Sequence, residues 1–279
     1  MIEVIIASLG YAGGIVANKF IFCKYRVPVY RFIPLLFIWL ALITAVFLRR
    51  WGTVDLGLIH DVRIIFIFVL MIAVAISWNL LYYKGIQKED LHEFELIMLF
   101  SPLATIVLAS IMLPSERSWS LFLPGIIASG ALLVTRVRKH HLKIGMDAWK
   151  TIIAMVLLSF ESILIKELLG PFSPVALYFV RTLILAIIFF VVLRPKIFQM
   201  HRSAYALTIL SAIFGVMQMV LKYYGFQSLG VVETTMILVL GPFLVYIASA
   251  LFFKEKLFKR DVFAATTVVL CILYVQFWR

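Results

Sequence analysis

Residues 80–102 read "LLYYKGIQKEDLHEFELIMLFSP", and residues 220–242 read "VLKYYGFQSLGVVETTMILVLGP". Laid over one another, the two stretches are identical at Leu81/Leu221, Tyr83/Tyr223, Gly85/Gly225, Gln87/Gln227, Glu93/Glu233, Ile97/Ile237 and Pro102/Pro242. Apolar composition supplies shared Leu and Ile by default. It does not supply a Tyr, Gly, Gln, Glu and Pro in register, so the chain is expected to contain an internal repeat. A fainter match supports it: "NKFIFCKYRVPVY" (18–30) over "IKELLGPFSPVAL" (165–177) pairs Lys19 with Lys166 and, with a one-residue gap, Pro28 with Pro174.

The composition around these stretches sets the class. Hydrophobic residues make up 64% of the 279 and charged residues 14%, with a mean hydropathy of +1.07; ordinary soluble domains have roughly 45–50% and about 25%. No soluble fold hides that much apolar surface. A helix needs roughly 17–25 apolar residues to cross a bilayer. The pattern divides into ten such spans, 2–22, 32–48, 64–83, 93–113, 120–137, 148–168, 174–193, 203–222, 231–253 and 261–278. The runs are continuous rather than alternating, which excludes a transmembrane β-barrel. Span one has no basic stretch before it and no cleavage signal after it, so it is expected to be retained.

Five spans precede the basic loop at 136–147 and five follow it. An odd number per half turns the second half upside down relative to the first, which is the arrangement of many secondary transporters. The expected fold is therefore all-α and integral to the membrane: ten transmembrane helices as two inverted five-helix repeats, residues 1–138 and 148–279. Lys and Arg concentrate in the connecting segments, where a net charge of +12 reads as attraction to anionic headgroups and topology setting rather than nucleic-acid binding. Most fall on the side of the loops at 24–31, 84–92, 136–147, 194–202 and 254–260, but Arg49 and Arg50 fall on the other. The orientation stays open.

This pattern resembles the drug/metabolite transporter superfamily, EamA-type. The resemblance rests on Lys19 and Lys166, on "SPVALYFVR" (173–181) opening span seven, and on the "YYKGIQ" and "YYGFQ" ends of spans three and eight. It rests also on the "SP" and "GP" pairs at 101–102 and 241–242. It implies transport of small metabolites, often amino acids or other polar solutes, through a central cavity lined by both halves. One departure from symmetry is that Arg181 lies seven residues past Pro174, whereas Arg31 lies three past Pro28.

Chemistry is expected where polar groups interrupt apolar runs. In "LLSFESILIKELLG" (157–170), Glu161 falls about 20 Å along its span by helical rise. A charge there costs some 2.5–3.5 kcal/mol even on the gentle insertion scale. Lys166, five residues on, points about 140° away and is a poor partner for it. Glu161 is the candidate proton-coupling group; permanent pairing with Lys19, Lys166 or Arg181 is the alternative. Arg181, about 10 Å into span seven, needs an acceptor because a guanidinium is not discharged. With Lys19 and Lys166, it points to an anionic or zwitterionic substrate, such as an amino acid, unless Glu93, Glu95 and Glu233 balance the cations.

Span three ends in "SWNLLYY" (77–83), where Trp78 and Tyr82 share one face and Asn79 and Tyr83 another. Span eight carries Gln218, Lys222, Tyr223 and Tyr224 in matching places. The tyrosines read as an interfacial aromatic belt. Asn79 and Gln218, a turn deeper, read as cavity or interhelical groups. Tyr11, Gly14 and Asn18 share a face of span one, and Gly10 with Gly14 forms a small-xxx-small pair suited to close packing. Pro102 and Pro242 are expected near mid-span as bends or hinges. The candidate substrate-binding set is Lys19, Trp78, Asn79, Glu161, Lys166, Arg181 and Gln218.

Other classes lack their motifs. There is no zinc-protease helix, no nucleophile elbow and no phosphate-binding loop, so neither an enzyme nor an ATP-driven pump is expected. Cys23 and Cys271 are far apart, and no metal or cofactor is expected. A translocator of lipid or lipid-linked sugar on the same fold is the alternative, with Lys24, Arg26 and Arg31 for the headgroup. The expected partners are a small-molecule substrate and the lipid bilayer, with a homodimer as an open option and no nucleic acid. The expected location is the cell (inner) membrane.

Overall fold

The computed structural model describes residues 1–55, 57, 60–88, 98, 100–117, 119–136, 148–195, 200–241, 244–245 and 259–278. The described residues form ten α-helices: α1 (Ile2–Lys19), α2 (Val29–Trp51), α3 (Val62–Lys88), α4 (Ser101–Met112), α5 (Trp119–Arg136), α6 (Ala148–Leu168), α7 (Pro174–Leu193), α8 (Arg202–Ser228), α9 (Val231–Leu238) and α10 (Lys259–Trp278). Among the described residues, five stretches are long and apolar enough to cross a membrane: Ile2–Lys24, Val29–Trp51, Val62–Gly85, Pro174–Leu193 and Arg202–Ser228. The protein is an all-helical integral membrane protein.

The helix ends follow local chemistry. α1 runs into a π turn at Phe20–Lys24, then Arg26 takes a left-handed φ of 47° and Pro28 opens α2 in extended backbone. Pro174 occupies the first position of α7, where its missing N–H costs nothing, and Ser173 Oγ accepts from Ala176 N. His201 caps α8 by accepting from Ser203 N at 3.2 Å. α9 is capped from far away: the buried Glu116 carboxylate accepts from Val231 N at 2.9 Å and Val232 N at 3.3 Å. Gly230 makes that approach possible, with φ 92° and a position where a Cβ would meet Glu116 Oε1 at 2.5 Å.

Helices pair in a regular way. α1 lies along α8 and α3 along α6, while α2 packs on α7, α5 on α10 and α4 on α9. The α1–α8 contact is close because Gly10 faces α8 backbone, where a Cβ would stand 2.9 Å from Gln218 N and Phe214 O. Gly13 is set closely against the Phe214 ring, and the expected Gly14 faces the same residue with more room, where a Cβ would stand 3.9 Å from that of Phe214. Gly13 lies three positions after Gly10, also about one helical turn.

One face of the bundle is tied by main chain. The segment after α2 meets the segment between α6 and α7 in an antiparallel bridge, Val54 opposite Phe172. Ser173 N donates to Thr53 O at 2.9 Å and Asp55 N to Pro171 O at 2.8 Å. Ser173 Oγ donates to Trp51 O and accepts from Thr53 N, and Arg63 pairs with Glu167 at 3.3 Å.

Residues 93–97 and 99, which precede Pro102 in span four, lie outside the described residues. α4 begins at Ser101, so Pro102 lies in its first turn, where no intrahelical hydrogen bond is lost. Pro242, Glu93 and Glu95 lie outside the described residues.

Candidate functional site

The long pairs α1–α8 and α3–α6 bring polar residues of α1, α3, α7 and α8 around one cavity of about 160 Å³. α3 contributes Trp78, Asn79, Tyr82 and Tyr83, and α8 contributes Ser211, Gln218 and Lys222. Tyr11 and Asn18 come from α1, Tyr178 and Arg181 from α7. Along α1 and α3 the lining runs toward the helix ends opposite the tied face. Arg181 and Lys222 stand at the cavity's other limit, nearer that face.

At this inner limit is a buried ion pair. Glu161 is 0% exposed and Arg181 2%, and Arg181 Nε donates to Glu161 Oε1 at 2.7 Å. The second carboxylate oxygen accepts from Trp78 Nε1, also at 2.7 Å, so both oxygens are engaged, as an ionised carboxylate requires in apolar surroundings. The guanidinium carbon also lies 6.0 Å from the Trp78 ring centre, within cation–π range. Three helices, α3, α6 and α7, are joined through one side chain.

The pair is not fully saturated. Arg181 Nη2 is buried and finds no hydrogen-bond partner among the described residues, and the same holds for the Tyr223 hydroxyl. An unmet buried donor costs about 1–3 kcal/mol. Lys222 stands beside them. Its ammonium donates to Ser162 Oγ at 3.3 Å and lies 5.0 Å from the Phe226 ring centre. An ammonium has three donors, and Ser162 takes one.

Of the candidate set, Trp78, Asn79, Arg181 and Gln218 line the cavity. Asn79 also donates to Ala75 O on its own helix at 2.8 Å. Glu161 stands behind Arg181 rather than at the cavity surface. Lys166 is turned away from Glu161 and donates to the Phe226 carbonyl, joining α6 to α8. Lys19 is half-buried beside Asn18, and neither lysine is among the described lining residues.

The interfacial-belt reading does not hold for two of the tyrosines. Tyr83 is 8% exposed and Tyr223 0%, because helix pairing turns these helix ends inward; Tyr223 packs edge-to-face on Tyr178 at 5.7 Å. Sequence reasoning omitted Lys222, Tyr178 and Ser211 from the site. Lys222 carried a signal, a cation in an apolar span. Tyr178 and Ser211 carried none, since a lone Tyr or Ser in a span is commonplace. Ser211 Oγ donates to Asn18 Oδ1 at 2.8 Å, binding α8 to α1 within the lining.

Comparison with known proteins agrees with this architecture. The fold is similar to that of a protein solved by crystallography, with a TM-score of 0.79 and 12% identity over 99% of this chain and 97% of that one. At that identity the likeness concerns the fold alone. No curated protein matches the sequence. The family model of EamA-like transporters matches residues 148–277. The second half of this chain is thus similar to EamA-like transporters, a likeness consistent with the drug/metabolite transporter superfamily.

Proposed function

We propose that the protein is a secondary transporter of the cell (inner) membrane. It moves a small polar metabolite, anionic or zwitterionic, by alternating access through the cavity between α1, α3, α7 and α8. Residues 1–138 and 148–279 act as two inverted five-helix repeats, each contributing five transmembrane helices. The helix pairing supports the repeat: exchanging each helix of one half for its counterpart turns α1–α8 into α6–α3 and leaves α2–α7, α4–α9 and α5–α10 unchanged. The observation that carries the functional reading is the buried Glu161–Arg181 pair, held by Trp78 at the inner limit of a polar, aromatic cavity. Such a pair is costly in lipid unless it works.

The same geometry supports coupling to protons as part of this reading. A substrate carboxylate that draws Arg181 away leaves Glu161 without its cation, and the vacated carboxylate takes up a proton. The two charges then move, pair and separate with the transport cycle.

The test is thermal stability of purified protein against amino acids, sugar phosphates, nucleobases and organic cations, beside Glu161→Gln and Arg181→Ala. A ligand at a hundred times its dissociation constant stabilises the native state by about 2.7 kcal/mol. The expected result is a shift from an anionic or zwitterionic class that is lost in Arg181→Ala. No shift from any class, with flipping of a fluorescent lipid in proteoliposomes instead, overturns the reading in favour of a lipid translocator.

A further inference from the structure

The cavity's charges are unequal. Among the described residues that line it, Arg181 and Lys222 are cationic and no Asp or Glu is present. Glu161 offsets one of the two cations from behind, and both its oxygens are already spent on Arg181 and Trp78. Among the described residues, the direct contacts of the Lys222 ammonium are a hydroxyl and a ring. Beside it the buried Arg181 Nη2 and the Tyr223 hydroxyl go unanswered.

From this, and resting on the transporter reading above, we infer that the cavity is a site for a small organic monoanion, its carboxylate bridging Lys222 and Arg181. The remainder of the solute lies against Trp78 and Tyr82, whose rings meet edge-to-face at 5.8 Å. A carboxylate supplies the acceptors that Lys222 and Arg181 lack, and a guanidinium and an ammonium together suit its two oxygens. Among the described lining residues an α-ammonium finds no free carboxylate, and it meets the field of Lys222, so a zwitterion loses on its amine what it gains on its acid. The site therefore selects against amino acids. While Glu161 stays ionised, the charges of Arg181, Lys222 and Glu161 sum to +1, which one negative charge on the ligand balances and which favours a monoanion over phosphates and dicarboxylates.

Titration calorimetry of the purified full chain with 3-phenylpropanoate, phenylalanine and phenethylamine tests this, because the three share a ring and differ in charge. The expected order is the acid at least about tenfold tighter than the zwitterion, with the amine not bound; tenfold is the modest end of what one charged contact confers. Lys222→Gln is expected to weaken the acid about tenfold or more, and Lys222→Arg to keep it within about threefold because the charge remains. Phenylalanine binding as tightly as the acid overturns the monoanion site and leaves the transporter reading standing. The wild-type series decides this even where Lys222→Gln does not fold. Unchanged acid binding in a folded Lys222→Gln overturns the assignment of Lys222. Binding of none of the three overturns the site as well; the transporter reading then falls only when the wider panel is also inert.

Discussion

A single carboxylate holds three helices together, and that makes Glu161 the most sensitive residue of the bundle. Removing one partner of a buried pair strands the other, at about 3–5 kcal/mol. Arg181→Ala is therefore expected to be strongly destabilising, and Glu161→Gln less so, because an amide oxygen still accepts from Arg181 Nε. Trp78→Phe keeps the ring but removes the indole donor to Glu161; it is expected to cost about 1.5–3 kcal/mol, the range for a bond to a charged group. Melting temperatures in one detergent rank the three, and a Trp78→Phe protein as stable as wild type refutes the three-helix tie. Glu161 and Arg181 were legible in the sequence because a charge in an apolar run has a known cost. Their partnership with Trp78 was not, since 83 residues separate Trp78 from Glu161 and only packing of α3 on α6 brings them together.

Helix α9 is only eight residues long over its described extent and begins with two N–H groups satisfied by Glu116. Replacement of Glu116 by Ala leaves both donors without that acceptor. The expected loss is about 0.5–2 kcal/mol by the measure of other N-terminal caps. Gly230→Ala is expected to be at least as damaging, since it combines a φ of 92° with a clash on the same carboxylate. If thermal unfolding leaves either variant at the wild-type temperature, the cap is not what starts α9. Gly10 acts between elements rather than within one. A larger residue there must push α1 off α8, so Gly10→Leu is expected to lower both stability and transport, while Gly14→Ala has room at the cavity wall. The small-residue signal in span one was legible; which glycines meet α8 depended on how α1 is rotated about its axis.

For the molecule as a whole, the tied face is the part that the alternating access proposed above would have to open. Val54 and Phe172 oppose each other in a bridge flanked by two hydrogen bonds, a geometry with Cα atoms about 4.5 Å apart and within disulfide reach. Cys substituted at both positions, in a chain with Cys23→Ser and Cys271→Ser, is expected to crosslink on oxidation. The crosslink should stop flux in proteoliposomes, leave ligand binding intact, and be reversed by reductant. Full flux through the crosslinked protein would mean that this face does not open. Neither residue carries a sequence signal for this role, because the bridge is made between segments more than a hundred residues apart.

The sequence by itself determined the class, the family resemblance and the expensive residues. Apolar runs of bilayer length admit only helices, since backbone groups in lipid must be satisfied within the segment, and charges inside those runs announce themselves by their cost. The tertiary structure decided everything that depends on rotation and partnership. It turned Tyr83 and Tyr223 inward, put Pro102 in a first turn, tied Lys166 to a carbonyl, and placed Lys222 beside Arg181. Helical periodicity states which residues share a face, but an apolar helix in lipid has no polar side to fix that face toward a core. Its rotation is set by the close contacts it makes with neighbouring helices, and those exist only once the bundle is assembled.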